Sequence, residues 1–189
     1  MRRLPAIVLA ALLGACSNAP LPPDWQENAS QSLRAYQQYY LSGDPRADAE
    51  FARGRSELAR TGREDLVARA ELLRCAVRTA SLEFDGCPGF EALRPGAQPD
   101  ETAYADYLAG RGTRASGGDP LSRLLAISVR LRSGTVTPSE MDQAAEIASA
   151  QGWRRPLLAW LGVLEKRAHD AGDADAAARL RRRMDLISK

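Results

Sequence analysis

Apolar residues recur at intervals of three and four along nearly every segment past residue 24, and no stretch sustains the alternation of a strand. The clearest case is Leu66, Ala70, Leu73, Val77 and Ala80, a spacing that places all five on one helical face. A chain patterned this way buries its apolar surface by packing helix stripes against one another. It predicts an all-α protein.

The punctuation between stripes sets the element order. A first helix carries Ala29, Leu33, Tyr36 and Tyr40 and stops near Ser42 and Gly43. Asp44 is expected to cap the second, with Pro45 in its first turn, Ala47, Phe51, Gly54 and Leu58 as its stripe, and Gly62 at its end. The third is expected over residues 64–82. Between residues 84 and 99, Gly86, Pro88, Gly89, Pro95 and Gly96 leave room for one helical turn at 90–93. A shorter helix presents Tyr104, Tyr107 and Leu108.

Residues 110–119 are glycine-rich and form a candidate linker between two helical halves. Beyond it, Asp119 and Pro120 open a helix bearing Leu121, Leu124, Leu125, Ser128 and Leu131. Thr137 and Glu140 form a capping-box pattern ahead of Met141, Ala144, Ala145 and Ala148. Trp153 and Pro156 begin a further helix with Leu157, Trp160, Leu161, Leu164 and Ala168, closed by Gly172. Asp173 caps the last, whose stripe is Ala177, Leu180, Met184 and Ile187. About seven to eight helices joined by short turns must pack antiparallel with their neighbours, as a bundle or a short array of hairpins. Trp160-Leu161-Gly162 and the small alanines over residues 137–189 give the chain a resemblance to tetratricopeptide-like arrays. The repeat of about 34 residues does not register, so no ligand-binding residue is carried over from that likeness.

At the start, Arg2 and Arg3 precede an apolar run from Leu4 to Leu13, followed by Gly14, Ala15 and Cys16. A bilayer span needs about 20 apolar residues, so this run has the length of a secretory signal. Leu13-Gly14-Ala15-Cys16 resembles the lipobox of bacterial lipoproteins. The resemblance implies that residues 1–15 are removed and that Cys16 is acylated. It also implies a lipidated tether over 16–24 and a single α-helical domain over 25–189. Ser17, where aspartate would favour the inner membrane, implies an outer-membrane anchor facing the periplasm.

Loss of Arg2 and Arg3 brings the 26 basic side chains level with the 24 acidic ones, so no long-range basic field for nucleic acid is expected. The basic side is almost wholly arginine, with Lys166 and Lys189 the only lysines. With Cys16 assigned to lipid, Cys75 and Cys87 remain, and an oxidising compartment favours pairing them. Their spacing is not that of a redox-active Cys-x-x-Cys.

No catalytic or metal-binding set assembles, and no cofactor is implied. His169, the only histidine, lies near a helix C-terminus, where the dipole favours it. Glu83 with Asp85, and Asp100 with Glu101 and Asp106, are the nearest approaches to paired acids, and both read as caps or solvated faces. Arg111 and Arg114 before the helix start at Asp119 make a weak candidate for an anion site, without the ending of a phosphate loop. The candidate partner surface is Tyr39, off its helix stripe, with Arg179, Arg182 and Arg183 of the last helix. The function expected is that of a membrane-anchored, non-enzymatic adaptor or assembly factor that binds another envelope protein. The alternative is an enzyme or ligand-binding protein acting on cell-wall or envelope material.

Overall fold

The computed structural model describes residues 22–114 and 117–188, and among them every regular element is helical. The helices are α1 (Asp24–Ser42), α2 (Ala47–Ala59), α3 (Glu64–Ala80), the short α4 (Pro88–Glu91), α5 (Pro99–Leu108), α6 (Pro120–Arg132), α7 (Pro138–Ala150), α8 (Arg154–Asp170) and α9 (Ala174–Ile187). One 3₁₀ turn, Arg94–Gly96, lies between α4 and α5. No helix among the described residues is long and apolar enough to cross a membrane. The lipobox-like segment and Cys16 lie outside the described residues.

Helix starts follow the expected cap chemistry with one correction. The Asp119 carboxylate accepts from Ser122 N–H at 3.0 Å, and Asp173 accepts from Ala176 N–H at 2.8 Å. Thr137 and Glu140 exchange side-chain to backbone bonds of 3.3 and 2.8 Å, completing the capping box. Asp44 is not the cap of α2. Its carboxylate accepts from Arg46 N–H at 2.9 Å and also holds the Arg46 guanidinium, forming a turn that delays the helix to Ala47. A charge-assisted local bond outcompetes the more distant helical amide.

Two apolar clusters make the core. The first joins Ala29, Tyr36, Tyr40 and Leu41 of α1 with Ala47, Phe51 and Leu58 of α2 and with Val67, Ala70 and Val77 of α3. The second takes Ala68, Leu72, Cys75, Ala76 and Ala80 from the other side of α3 and adds residues of α4 to α8, with Phe90, Leu108, Leu124 and Trp160 among the most deeply buried. One stripe was expected on α3, and the helix is apolar on two sides, because its small residues Ala68, Cys75 and Ala76 admit close neighbours behind that stripe. A helix buried nearly all round belongs at the centre of a domain.

The second cluster includes Ala105 and Leu108 from before residues 110–119 and Leu124 to Trp160 from after them. That segment therefore does not divide the core. Chain neighbours α1 and α2, α7 and α8, and α8 and α9 pack as hairpins, while α1 also meets α8. Arg155 stitches that last junction, donating from Nε to Tyr40 O at 3.0 Å with its guanidinium 4.3 Å from the Tyr40 ring centre.

Cys75 and Cys87 are joined as a disulfide with Cα atoms 5.3 Å apart. The return path runs through Gly86, in the left-handed region at φ 77°, and Asp85, whose carboxylate accepts from Cys87 N–H at 3.1 Å. Closing a loop of this size stabilises the fold by about 3 kcal/mol in the chain-entropy picture.

Candidate functional site

Where α3, α5 and α6 meet, they leave a cleft of about 360 Å³. Its floor is aliphatic: Leu72, Leu73 and Ala76 from α3, with Leu121 and Leu125 from α6. Leu73 and Leu121 also pack against the first core cluster, so the cleft sits on the seam between the two cores. Helical geometry accounts for the floor, since positions 72, 73 and 76 share one side of α3 and positions 121 and 125 one side of α6.

The rim is polar and built around Glu101, which is only 4% exposed. One carboxylate oxygen accepts from Gln98 N–H at 2.9 Å, capping α5, and the other accepts from Arg69 Nε at 2.8 Å, tying α5 to α3. The same bond holds the Arg69 guanidinium above its ordinary pKa. Tyr104 stacks on Tyr107 with ring centres 6.2 Å apart, and the Arg114 guanidinium lies 4.8 Å from the Tyr104 ring centre. Burial pushes the Tyr104 phenol up to about 12, against the pull of Arg114 in the other direction. Exposed Asp100 completes the rim. An apolar floor under a rim of fixed donors and acceptors suits one apolar side chain flanked by backbone or polar groups.

Of the clustered carboxylates, Glu83, Asp85, Glu101 and Asp106 are held by arginine. Arg78 reaches Glu83 at 3.2 Å and Asp85 at 2.7 Å, and Arg155 reaches Glu83 at 3.4 Å. Arg94 and Arg111 both pair with Asp106, at 3.2 and 2.7 Å, and hold its carboxyl below the usual range. With Arg111 so engaged and Arg114 laid over Tyr104, the two arginines weighed for an anion site point to protein partners instead. His169 is exposed in the last turn of α8, with Nδ1 3.9 Å from Asp170. Among the described residues the metal-ligand types that converge are Cys75, Asp85 and Cys87, and their two sulfurs are spent in the disulfide.

Of the four residues expected to face a partner, Tyr39 lies on α1 and Arg179, Arg182 and Arg183 lie on α9. Tyr39 is half-buried against the first core cluster with the Arg46 guanidinium 4.2 Å above its ring. Its position one residue before Tyr40 puts it off the stripe, yet the α1–α2 turn folds over it. Arg179, Arg182 and Arg183 are exposed on α9, and Arg183 donates to Ser149 Oγ at 3.2 Å. Arg181, between them, pairs with Glu165 of α8. The sequence carries no sign of the cleft, and Leu72 and Ala76 fall outside the stripe expected on α3.

Architecture and site together define a hairpin-built all-α protein, braced by one disulfide, with an apolar cleft at the seam of its two cores. No family model, curated protein or solved structure matches the chain.

Proposed function

We propose that the protein is a lipoprotein of the bacterial envelope, acylated at Cys16 and held at the periplasmic face of the outer membrane. In this reading it works as a non-enzymatic adaptor, and its cleft between α3, α5 and α6 receives an apolar side chain from another envelope protein. The carrying observation is the cleft's make-up, an aliphatic floor beside a rim fixed by the Arg69–Glu101 pair. Such a make-up fits recognition, since well-packed apolar anchors dominate protein interfaces. Support for the address comes from the lipobox-like sequence, and the disulfide fits an oxidising compartment. Bound arginines neutralise the acids at 83, 85 and 106, which counts against a pair of free carboxylates acting on glycan.

The experiment places a photoreactive amino acid at exposed Asp100 on the rim and, as a control, at exposed Asp175 on α9. Irradiation of intact cells should yield a discrete protein adduct from position 100 and none from 175. Loss of that adduct, together with turnover of cell-wall fragments by the purified chain, would replace the adaptor with the enzyme alternative.

A further inference from the structure

A second groove, of about 370 Å³, opens at the end of the molecule where the chain enters α1. Trp25, Ala29 and Leu33 of α1 line it with Leu58 at the end of α2 and Leu66 at the start of α3. Of the charged side chains, Arg63 lines the groove, and its guanidinium is paired with Asp65 at 2.6 Å. Gln26 and Ser30 are the other polar residues of the lining, and neither carries a charge. What remains to be recognised is apolar matter, beside an indole that is only half-buried.

The covalent chain sets where this groove can be. Trp25 lies nine positions after Cys16, and an extended chain spans at most about 3.3–3.6 Å per residue. A lipid on Cys16 would therefore keep the groove within about 30 Å of the bilayer surface. Tryptophan favours the boundary between headgroups and acyl chains, where its ring is half wet and half dry. We infer that this groove lies against the bilayer and takes in the acyl-chain end of a phospholipid of the anchoring leaflet, with Trp25 at the headgroup boundary. This inference rests on the acylation of Cys16 proposed above. The occupant is a leaflet lipid and not the chain's own acyl groups, because every methylene withdrawn from the bilayer weakens the anchor.

The test uses the full chain, extracted from cell membranes and reconstituted into vesicles of phosphatidylethanolamine and phosphatidylglycerol carrying a nitroxide-labelled phosphatidylcholine. Gln26→Cys, exposed in the groove wall, and Asp175→Cys, exposed on α9, each carry an environment-sensitive fluorophore. The expected result is a blue-shifted emission at position 26, quenched by the nitroxide lipid at least twofold more than at position 175. Equal quenching at both sites in a palmitate-labelled, vesicle-bound chain overturns this inference alone. A blue shift at 26 without quenching does the same, because the protein's own lipid or a neighbouring protein then fills the groove. A chain that takes up no palmitate and stays soluble overturns the acylation and this inference with it.

Discussion

At Gly89 the absence of a side chain sets the position of a buried charge. A Cβ there would collide with the carboxylate of Glu71, which is 6% exposed and accepts from Arg55 Nε at 2.6 Å. Glycine is needed for close approach and not for an unusual φ, since Gly89 is absent from the left-handed positions. Gly89→Ala must push the carboxylate off its partner while leaving it in a dry site. We expect a loss of about 1–2 kcal/mol, the usual cost of an unsatisfied buried polar group. It would appear as a lower urea midpoint at unchanged slope, and a midpoint equal to wild type would show that Glu71 is free to move. The sequence shows Gly89 as one of several breakers beside Pro88. Nothing local to it reveals a glutamate 18 positions earlier.

Gly54 plays a different part, between elements. Its stripe position was legible, and so was the stripe, because Ala47, Phe51, Gly54 and Leu58 are the buried residues of α2. A Cβ at Gly54 would stand 2.9 Å from Leu33 Cγ and 3.3 Å from the Ala29 carbonyl oxygen, so α1 and α2 meet here almost backbone to side chain. Gly54→Val adds three carbons to that contact and should cost about 2 kcal/mol through overpacking. Gly162 in α8 is the control, since a Cβ there meets nothing within 4 Å and its φ is helical. Gly162→Ala should raise stability by roughly 0.5–1 kcal/mol through helix propensity alone. Thermal unfolding of the two variants checks both signs, and a Gly54→Val protein as stable as wild type would mean the hairpin is loosely packed. The caps at Asp119, Thr137 and Asp173 were equally readable, being contacts within four residues. Asp44 misled because two local partners competed for one carboxylate.

Across the whole fold, four tyrosines titrate late. Burial is the leading cause at Tyr36, Tyr40, Tyr104 and Tyr107, and each phenol is raised above the ordinary 10.0. A phenol whose pKa is higher in the folded chain stabilises that chain fully below the unfolded value. The contribution is lost as pH rises through the folded one. For Tyr104 the window runs from 10.0 to about 12. Stability should hold up to about pH 10 and fall between there and pH 12, with tyrosinate absorbance rising as helical circular dichroism disappears. Phenols that ionise near pH 10 with the helices intact would refute this. These four side chains come from α1 and α5, and both core clusters need them dry.

Helix identity, order and most inward faces could be read along the chain, because periodicity, caps and breakers act over four residues or fewer. The Cys75–Cys87 bridge was also within reach, as the two cysteines left once Cys16 is given to lipid. Only folding decided that α3 would be enclosed on two sides, that α1 would meet α8, and that Tyr39 would lie under Arg46. The clefts at Leu73 and at Trp25 arose the same way. Each depends on three helices converging, and the interval between residues such as Leu72 and Leu125 carries no local signal of where their helices will cross.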